Sequence, residues 1–288
     1  MILDKETNIL FFSKKIKEQH KEDWVRIQNS ITENYTLLDN TNDIWIRDFM
    51  PIQVNYHQYS CFSYMPSYLK NNPELISNQK EICKYLEIEP IYSSIKIDGG
   101  NIVKGKNRVI ITDRIFQENP ERNSLSITKE IEELLNAEVL IFPTEKDDFL
   151  GHADGMLRFI DDSTVVINDL KSYPRNFRRL IKKAIISHNL NYIEVPCKPK
   201  RDYISAIGFY INYLEFQNFI YLPIFESMEK ENEEAIEKIS NIFTNRTVIP
   251  ILLTTIAQDG GLLNCISWSY KTSEHISTGN EIYEYNKQ

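Results

Sequence analysis

Cys265 closes the segment Asp259-Gly260-Gly261-Leu262-Leu263-Asn264-Cys265, just behind a pair of glycines. A thiol, with a histidine and a carboxylate elsewhere in the chain, is the general pattern of a nucleophile aimed at an electrophilic carbon. Gly151-His152-Ala153-Asp154-Gly155 offers both partners at once. In extended chain, residues two apart face the same way, so His152 and Asp154 are expected side by side. That pairs a proton-transfer group with a charge that can hold a cation. A third segment, Asn42-Asp43-Ile44-Trp45-Ile46-Arg47-Asp48-Phe49-Met50-Pro51, gathers Trp45, Arg47 and two aspartates. Pro51 cannot continue a central strand, so Asp48 is expected where strand gives way to loop, a frequent place for functional side chains. Asp98-Gly99-Gly100-Asn101 reads as a tight turn between strands, with Asp98 free to position a neighbour.

Each segment also has a plain structural reading. Buried cysteines are usually inert. The histidine segment could be a surface turn, Arg47 and Asp48 a surface ion pair, and Asp98 part of an ordinary turn. The glycines argue for treating the segments together. Nine glycines in 288 residues is about 3%, against a usual ~7%. Six of the nine fall in three of these segments: Gly99 and Gly100, Gly151 and Gly155, Gly260 and Gly261. Glycine is needed where backbone takes positive φ or lies close to another group. Cys61, Cys83 and Cys197 have no such setting.

These segments need a scaffold, and the hydrophobic pattern supplies one of alternating strands and helices. Strands are expected at 8–12, 42–54 (ending in a loop), 91–97, 108–112, 139–142, 192–195 and 248–252. Helices are expected at 16–31, 73–86, 126–135 (capped by Ser126 or Thr128), 174–188 and 229–243. Strands at 156–160 and 164–168 form a hairpin, and 203–214 pairs with 219–222. No Ser/Gly/Pro linker interrupts the chain, so residues 1–288 are read as a single α/β domain.

Composition narrows the function. The chain is 42% hydrophobic and 26% charged, ordinary for a globular protein. Its net charge of -8 and lack of a basic stripe argue against nucleic acid as a partner and suit a cationic substrate. There is no signal-peptide pattern, no apolar run long enough for a membrane span and no cysteine pairing motif, so a cytoplasmic location is expected. Zinc motifs, a Walker A loop and a dinucleotide fingerprint are all missing, so no metal and no cofactor are expected.

Taken in order, the segments resemble the agmatine deiminase and bacterial-type peptidylarginine deiminase family. That family shows W-x-R-D-x-x-P, an acid beside a glycine turn, G-H-x-D-G, and G-G-x-x-H-C. Here these read Trp45-Ile46-Arg47-Asp48-Phe49-Met50-Pro51, Asp98-Gly99-Gly100-Asn101, Gly151 to Gly155, and Gly260-Gly261-Leu262-Leu263-Asn264-Cys265. The stretches Tyr210-Ile211-Asn212-Tyr213-Leu214 and Val248-Ile249-Pro250 add to the likeness, which runs roughly from Asp43 to Ser269. The resemblance implies an α/β propeller of about five ββαβ-like modules around a pseudo-fivefold axis. It implies Cys265 as nucleophile, His152 as general acid and then base, and Asp48 and Asp154 as the clamp on a guanidinium. Trp45, Arg47, Asp98, Asn101 and Asn264 are then expected around the substrate. The implied reaction is hydrolytic deimination of agmatine, arginine or a peptidyl arginine through a covalent thiouronium, giving ammonia and a ureido product. An amidinotransferase, a dihydrolase and a non-catalytic guanidine-binding protein are the alternatives. Family members are often homo-oligomers, so self-association is a further expectation. Two features depart from the family: Asn264 replaces the histidine before the cysteine, and the segment before Trp45 is short, which implies a more open site.

Overall fold

The computed structural model describes residues 1–146, 148, 150–199 and 204–272. Its fifteen strands form five three-stranded sheets. β1 (Ile9–Ser13) leads through helices α1 (Ile16–Gln19) and α2 (Lys21–Ser30) to β2 (Tyr35–Leu38), which pairs parallel to β1. The short helix α3 (Ile46–Phe49) precedes the hairpin β3 (Ile52–Asn55) and β4 (Gln58–Ser63), and α4 (Gln79–Tyr85) leads on to the parallel strand β5 (Ile91–Lys96). The same order recurs with β6 (Val103–Lys104), β7 (Arg108–Thr112), α5 (Arg114–Glu118), α6 (Ser124–Leu135) and β8 (Glu138–Phe142). It recurs again with β9 (Leu157–Asp161), β10 (Thr164–Asn168), α7 (Arg175–Ser187) and β11 (Asn191–Val195). The last full copy is β12 (Leu214–Phe216), β13 (Phe219–Ile224), α8 (Glu229–Ile242) and β14 (Thr247–Leu252). After α9 (Thr255–Gln258), β15 (Ser267–Tyr270) pairs antiparallel with β1 and completes the first sheet.

Every module is thus an antiparallel pair, a helical crossover and a parallel third strand, the ββαβ unit implied by the family likeness. A parallel third strand requires such a crossover, because a tight turn cannot bring the chain back in the same direction. The helices bury one apolar face. In α6 that face is Ile127, Ile131 and Leu135, and in α7 it is Phe177, Ile181 and Ile185. No helix among the described residues is long and apolar enough to cross a membrane.

Several local expectations are corrected. The region 42–54 is not one strand: residues 46–49 turn helical and only Ile52–Asn55 is extended. Met50, held extended before Pro51, ends the helical turn. His20 breaks the 16–31 helix into α1 and α2, its imidazole bonded to Thr255 instead of facing solvent. In 73–86 only Gln79–Tyr85 is α-helical, because Asn78 caps it by accepting from the amides of Lys80 and Glu81. Asn123, and not Ser126 or Thr128, caps α6, with the Ser126 amide donating to its Oδ1 at 2.8 Å. The strand expected at 203–214 is confined to Leu214–Phe216; Tyr203 lies outside the described residues, and 204–213 is turn and loop apart from one bridge at Phe209. The buried tyrosines and isoleucines there gave a strand-like pattern, but this backbone bends to serve the site.

Glycine marks the place where two segments press together. A Cβ at Gly261 would lie 2.1 Å from a ring carbon of Trp45. Trp45 is partly buried and packed against the core, so Gly261→Ala should cost about 1–3 kcal/mol by overpacking. Thermal unfolding measured beside wild type checks this: an unchanged Tm would show that the Trp45 ring yields freely.

Candidate active site

The site is assembled from four connections rather than from a single element. The α3 turn carries Asp48, the 3-10 turn Gly99–Asn101 follows Asp98, the 3-10 turn Ala153–Gly155 carries Asp154 just after His152, and the loop after α9 carries Asn264 and Cys265. His152 and Asp154 are therefore not neighbours along an extended strand, as the motif alone had suggested. His152 is extended and Asp154 lies in the 3-10 turn. Both still face Gly100. A Cβ there would sit 2.7 Å from His152 Nδ1, 2.8 Å from Asp48 Oδ1 and 3.4 Å from Asp154 Oδ1. Only glycine lets these groups converge on that backbone. Gly155, by contrast, faces open space.

Asp48 is held from two sides. The Gly100 amide donates to its Oδ1 at 2.9 Å and the Tyr68 hydroxyl to its Oδ2 at 3.2 Å. Tyr68 in turn pairs with the hydroxyl of Tyr64 at 2.9 Å. Burial, reinforced by the Asp48 charge, pushes the Tyr68 hydroxyl well up, so it stays a donor. His152 Nε2 lies 3.2 Å from Asp98 Oδ2, and its Nδ1 lies 3.8 Å from Asp48 Oδ1. Asp154 Oδ2 accepts from Asn264 Nδ2 at 2.6 Å. The Cys265 thiol donates to Asn212 Oδ1 at 3.3 Å and lies 3.8 Å from Asp154 Oδ2.

Three buried carboxylates surround a single imidazole, so the site is strongly anionic. Burial raises the Asp48 carboxyl, Asp98 and Asp154 raise it further, and its pKa stands at about 7 even though His152 opposes the shift. Burial works against a charged imidazole, but Asp48, Asp98 and Asp154 outweigh it and hold His152 up at about 10. Burial, with Asp154 and Asp48 beside it, pushes the Cys265 thiol well above its ordinary value. These charges therefore favour a protonated histidine and a neutral thiol. A cation placed between the carboxylates would favour ionisation of both Asp48 and Cys265. Asp48, Asp98 and His152 also offer donor atoms within 4.8 Å of one another, but a metal there would have to displace the proton that the carboxylates hold on His152.

The remaining expected residues divide into two groups. Trp45, half-buried, packs on Gly261, and Asn264 and Asp98 touch the clamp and the histidine. Arg47 and Asn101 turn to the protein instead: Arg47 Nε donates to the Asn264 carbonyl at 3.2 Å, and Asn101 Oδ1 accepts from the Thr112 amide at 3.0 Å. Sequence reasoning overlooked Asn212 and Tyr68. Asn212 stands in the 210–214 stretch that carried part of the likeness, but there it was read as strand. No local signal marks Tyr68.

The chain matches the family described as Porphyromonas-type peptidyl-arginine deiminase over residues 2–270. It belongs to that family. A comparison with curated protein sequences finds no match. Among solved structures, an agmatine deiminase of C. jejuni is similar at TM-score 0.73 and 17% identity, over 93% of this chain and 95% of that one. A putative arginine deiminase from Porphyromonas gingivalis is similar at TM-score 0.75 and 16% identity, over 92% and 95%. A mutant DDAH from Pseudomonas aeruginosa, complexed with citrulline, is similar at TM-score 0.58 and 12% identity, over 92% and 99%. At these identities the likenesses speak for a shared fold, and the chemistry of this member must be argued from its own residues.

Proposed function

We propose that this member of the family hydrolyses a guanidino compound, releasing ammonia and leaving a ureido group. One observation carries this reading: buried Asp48, Asp154 and His152 converge on the Cβ-free face of Gly100, with buried Asp98 against the far nitrogen of His152 and the half-buried Cys265 thiol 3.8 Å from Asp154 Oδ2. A guanidinium is planar, stays charged and offers forked N–H donors that match two carboxylates. Asp48 and Asp154 grip its N–H groups, and the positive charge promotes loss of the Cys265 proton. The thiolate adds to the guanidinium carbon, and His152 gives its proton to the departing nitrogen, which leaves as ammonia. The same imidazole then takes a proton from water, whose oxygen attacks the thiouronium carbon and displaces the thiol. Trp45 packs on Gly261 in the loop that leads to Cys265, Asn264 orients Asp154, and Arg47 and Asn101 hold the backbone that carries the site. All four cysteines are unpaired, which supports a reducing, cytoplasmic setting.

Agmatine, arginine and peptidyl arginine share the reacting group, so the substrate is found by an ammonia-release screen over all three, with mass spectrometry of the product. A ureido product supports deimination, whereas an ornithine-type amine points to removal or transfer of the whole amidino group. Asp154→Asn should raise KM and lower kcat, each by about tenfold or more, since one arm of the clamp loses its charge. Steady-state kinetics with an unchanged KM would remove Asp154 from substrate binding.

A further inference from the structure

Asp4 lies far from Cys265 in sequence and belongs to none of the motifs, yet its carboxylate gathers three cations from three parts of the fold. It sits in the 3-10 turn Asp4–Glu6 and is 7% exposed. Its Oδ1 lies 2.5 Å from Lys104 Nζ and 3.6 Å from Arg47 Nη1, and its Oδ2 lies 3.7 Å from Arg158 Nη2. Lys104 comes from β6, Arg47 from α3 and Arg158 from β9.

Both arginines bond to backbone next to the thiol or to its hydrogen-bond acceptor. Arg47 donates from Nε to the Asn264 carbonyl at 3.2 Å, and its own backbone amide donates to the Cys265 carbonyl at 3.1 Å. Arg158 donates from Nη1 to the Tyr213 carbonyl at 3.1 Å, and its guanidinium lies over the Tyr213 ring, 4.9 Å from the centroid. Tyr213 follows Asn212, whose Oδ1 accepts from the Cys265 thiol. The two arginines therefore hold the two sides of the thiol hydrogen bond: one the cysteine backbone, the other the strand entry that carries its acceptor. A cavity of about 480 Å³ opens beside them. Asp4, Arg47, Lys104 and Arg158 line it, and Asp154 and Asn264 form part of the same wall. With open space on one side, packing alone does not fix these side chains; Asp4 is the carboxylate shared by both arginines, and Glu215 adds a second one to Arg158 at 3.9 Å. Burial opposes charge on Asp4, but Lys104, Arg47 and Arg158 outweigh it and hold the carboxyl well below the usual range, so it is ionised wherever the enzyme would work.

We propose that Asp4 is a positioning residue for the nucleophile, aligning Cys265 with Asn212 through Arg47 and Arg158, a role that rests on reading Cys265 as the nucleophile. A displacement of about 1 Å at a reacting centre can cost on the order of 100-fold in rate. Asp4→Asn should accordingly lower kcat about tenfold or more while leaving KM within about twofold. The readout that a merely structural ion pair would not move is the pH profile of iodoacetamide alkylation of Cys265, followed by peptide mass spectrometry. It should shift by about half a pH unit or more, because the thiol loses its fixed acceptor. Asp4→Glu keeps the charge and should restore most of kcat. Lys104→Met leaves Asp4 both arginines and should keep kcat within about threefold. Should Asp4→Asn fail to fold, Arg158→Lys keeps the charge opposite Asp4 but loses the fork that reaches Tyr213, and it should show the same alkylation shift. Wild-type alkylation profiles in both Asp4→Asn and Arg158→Lys, or in Arg158→Lys alone if Asp4→Asn does not fold, would overturn the role. So would equal losses of kcat in Asp4→Asn and Lys104→Met. The alkylation assay needs no turnover, so it separates failure of this role from failure of the deiminase reading.

Discussion

Cys265→Ala should abolish turnover, by about 10⁵-fold or more, while the protein unfolds at nearly the wild-type temperature. The loss is expected to be that large because no other group in the site can form the covalent intermediate, and residues that act as a unit lose nearly everything when one goes. The fold should survive because Cys265 is only half-buried and its thiol bonds to site residues, Asn212 at 3.3 Å and Asp154 at 3.8 Å. Ammonia release by the variant at a rate near wild type would end the covalent mechanism. Iodoacetamide gives a second view. Burial and the nearby Asp154 and Asp48 oppose ionisation of the thiol. Alkylation should therefore be slow at neutral pH, and a cation seated between the carboxylates should favour the thiolate.

His152→Asn should cost about 10²–10⁴-fold in kcat, the usual contribution of a positioned acid and base. The pH dependence of the wild-type enzyme ties that loss to a charge state. Asp48 must be ionised to hold a guanidinium, and its pKa stands at about 7. Going down in pH through about 7 protonates it, so kcat/KM should fall, approaching tenfold per unit on the acid side. His152 must carry a proton to release ammonia, and its pKa stands at about 10. Going up in pH through about 10 removes that proton, so kcat/KM should fall again. These limbs belong to a coupled group of charges and not to isolated side chains. Asp48→Asn should remove the acid limb and His152→Asn the alkaline one, each with a lower plateau. A profile flat from pH 5 to 7 would mean that Asp48 is not the group gripping the substrate.

Much of this site was legible in the sequence, because its residues lie in short segments of unusual composition. Gly100 and Gly261 stood out in a glycine-poor chain, and the structure gives each a neighbour that a Cβ would strike. The alternation of strands and helices was legible for a similar reason: β7, β8, β10 and α7 carry strong local apolar patterns. What stayed hidden depends on distant partners. Ser267–Tyr270 becomes a strand only by pairing with β1, more than 250 residues earlier. Asn212 sits among buried aromatic and aliphatic residues whose pattern imitates a strand, although the chain bends there so that the Asn212 carbonyl can accept from the Asn264 amide. Asp4 and Tyr68 lie in turns with no local mark of function, and their importance comes from the charges they meet across the fold. The extended reading of His152 and Asp154 failed for a related reason. The 3-10 turn at Ala153–Gly155 swings Asp154 toward Asn264 and the thiol, while His152 stays against Asp98.

Asn264 bears on how this member of the family differs from its motif. Its Nδ2 donates to Asp154 Oδ2 at 2.6 Å, and its Oδ1 is buried without a hydrogen-bond partner among the described residues. An asparagine can hold the carboxylate in place but cannot titrate. The proposed mechanism therefore assigns the proton transfers to His152 and none to Asn264.

The central claim is that the Cys265 sulfur bonds to the guanidinium carbon. Rapid mixing with the best guanidino substrate, acid quenching within the first turnovers and mass spectrometry of the Cys265 peptide test it directly. The expected result is a peptide heavier by the substrate less one ammonia, absent from Cys265→Ala. Steady turnover with an unmodified Cys265 peptide at every quench time, together with ammonia release by Cys265→Ala, would contradict it.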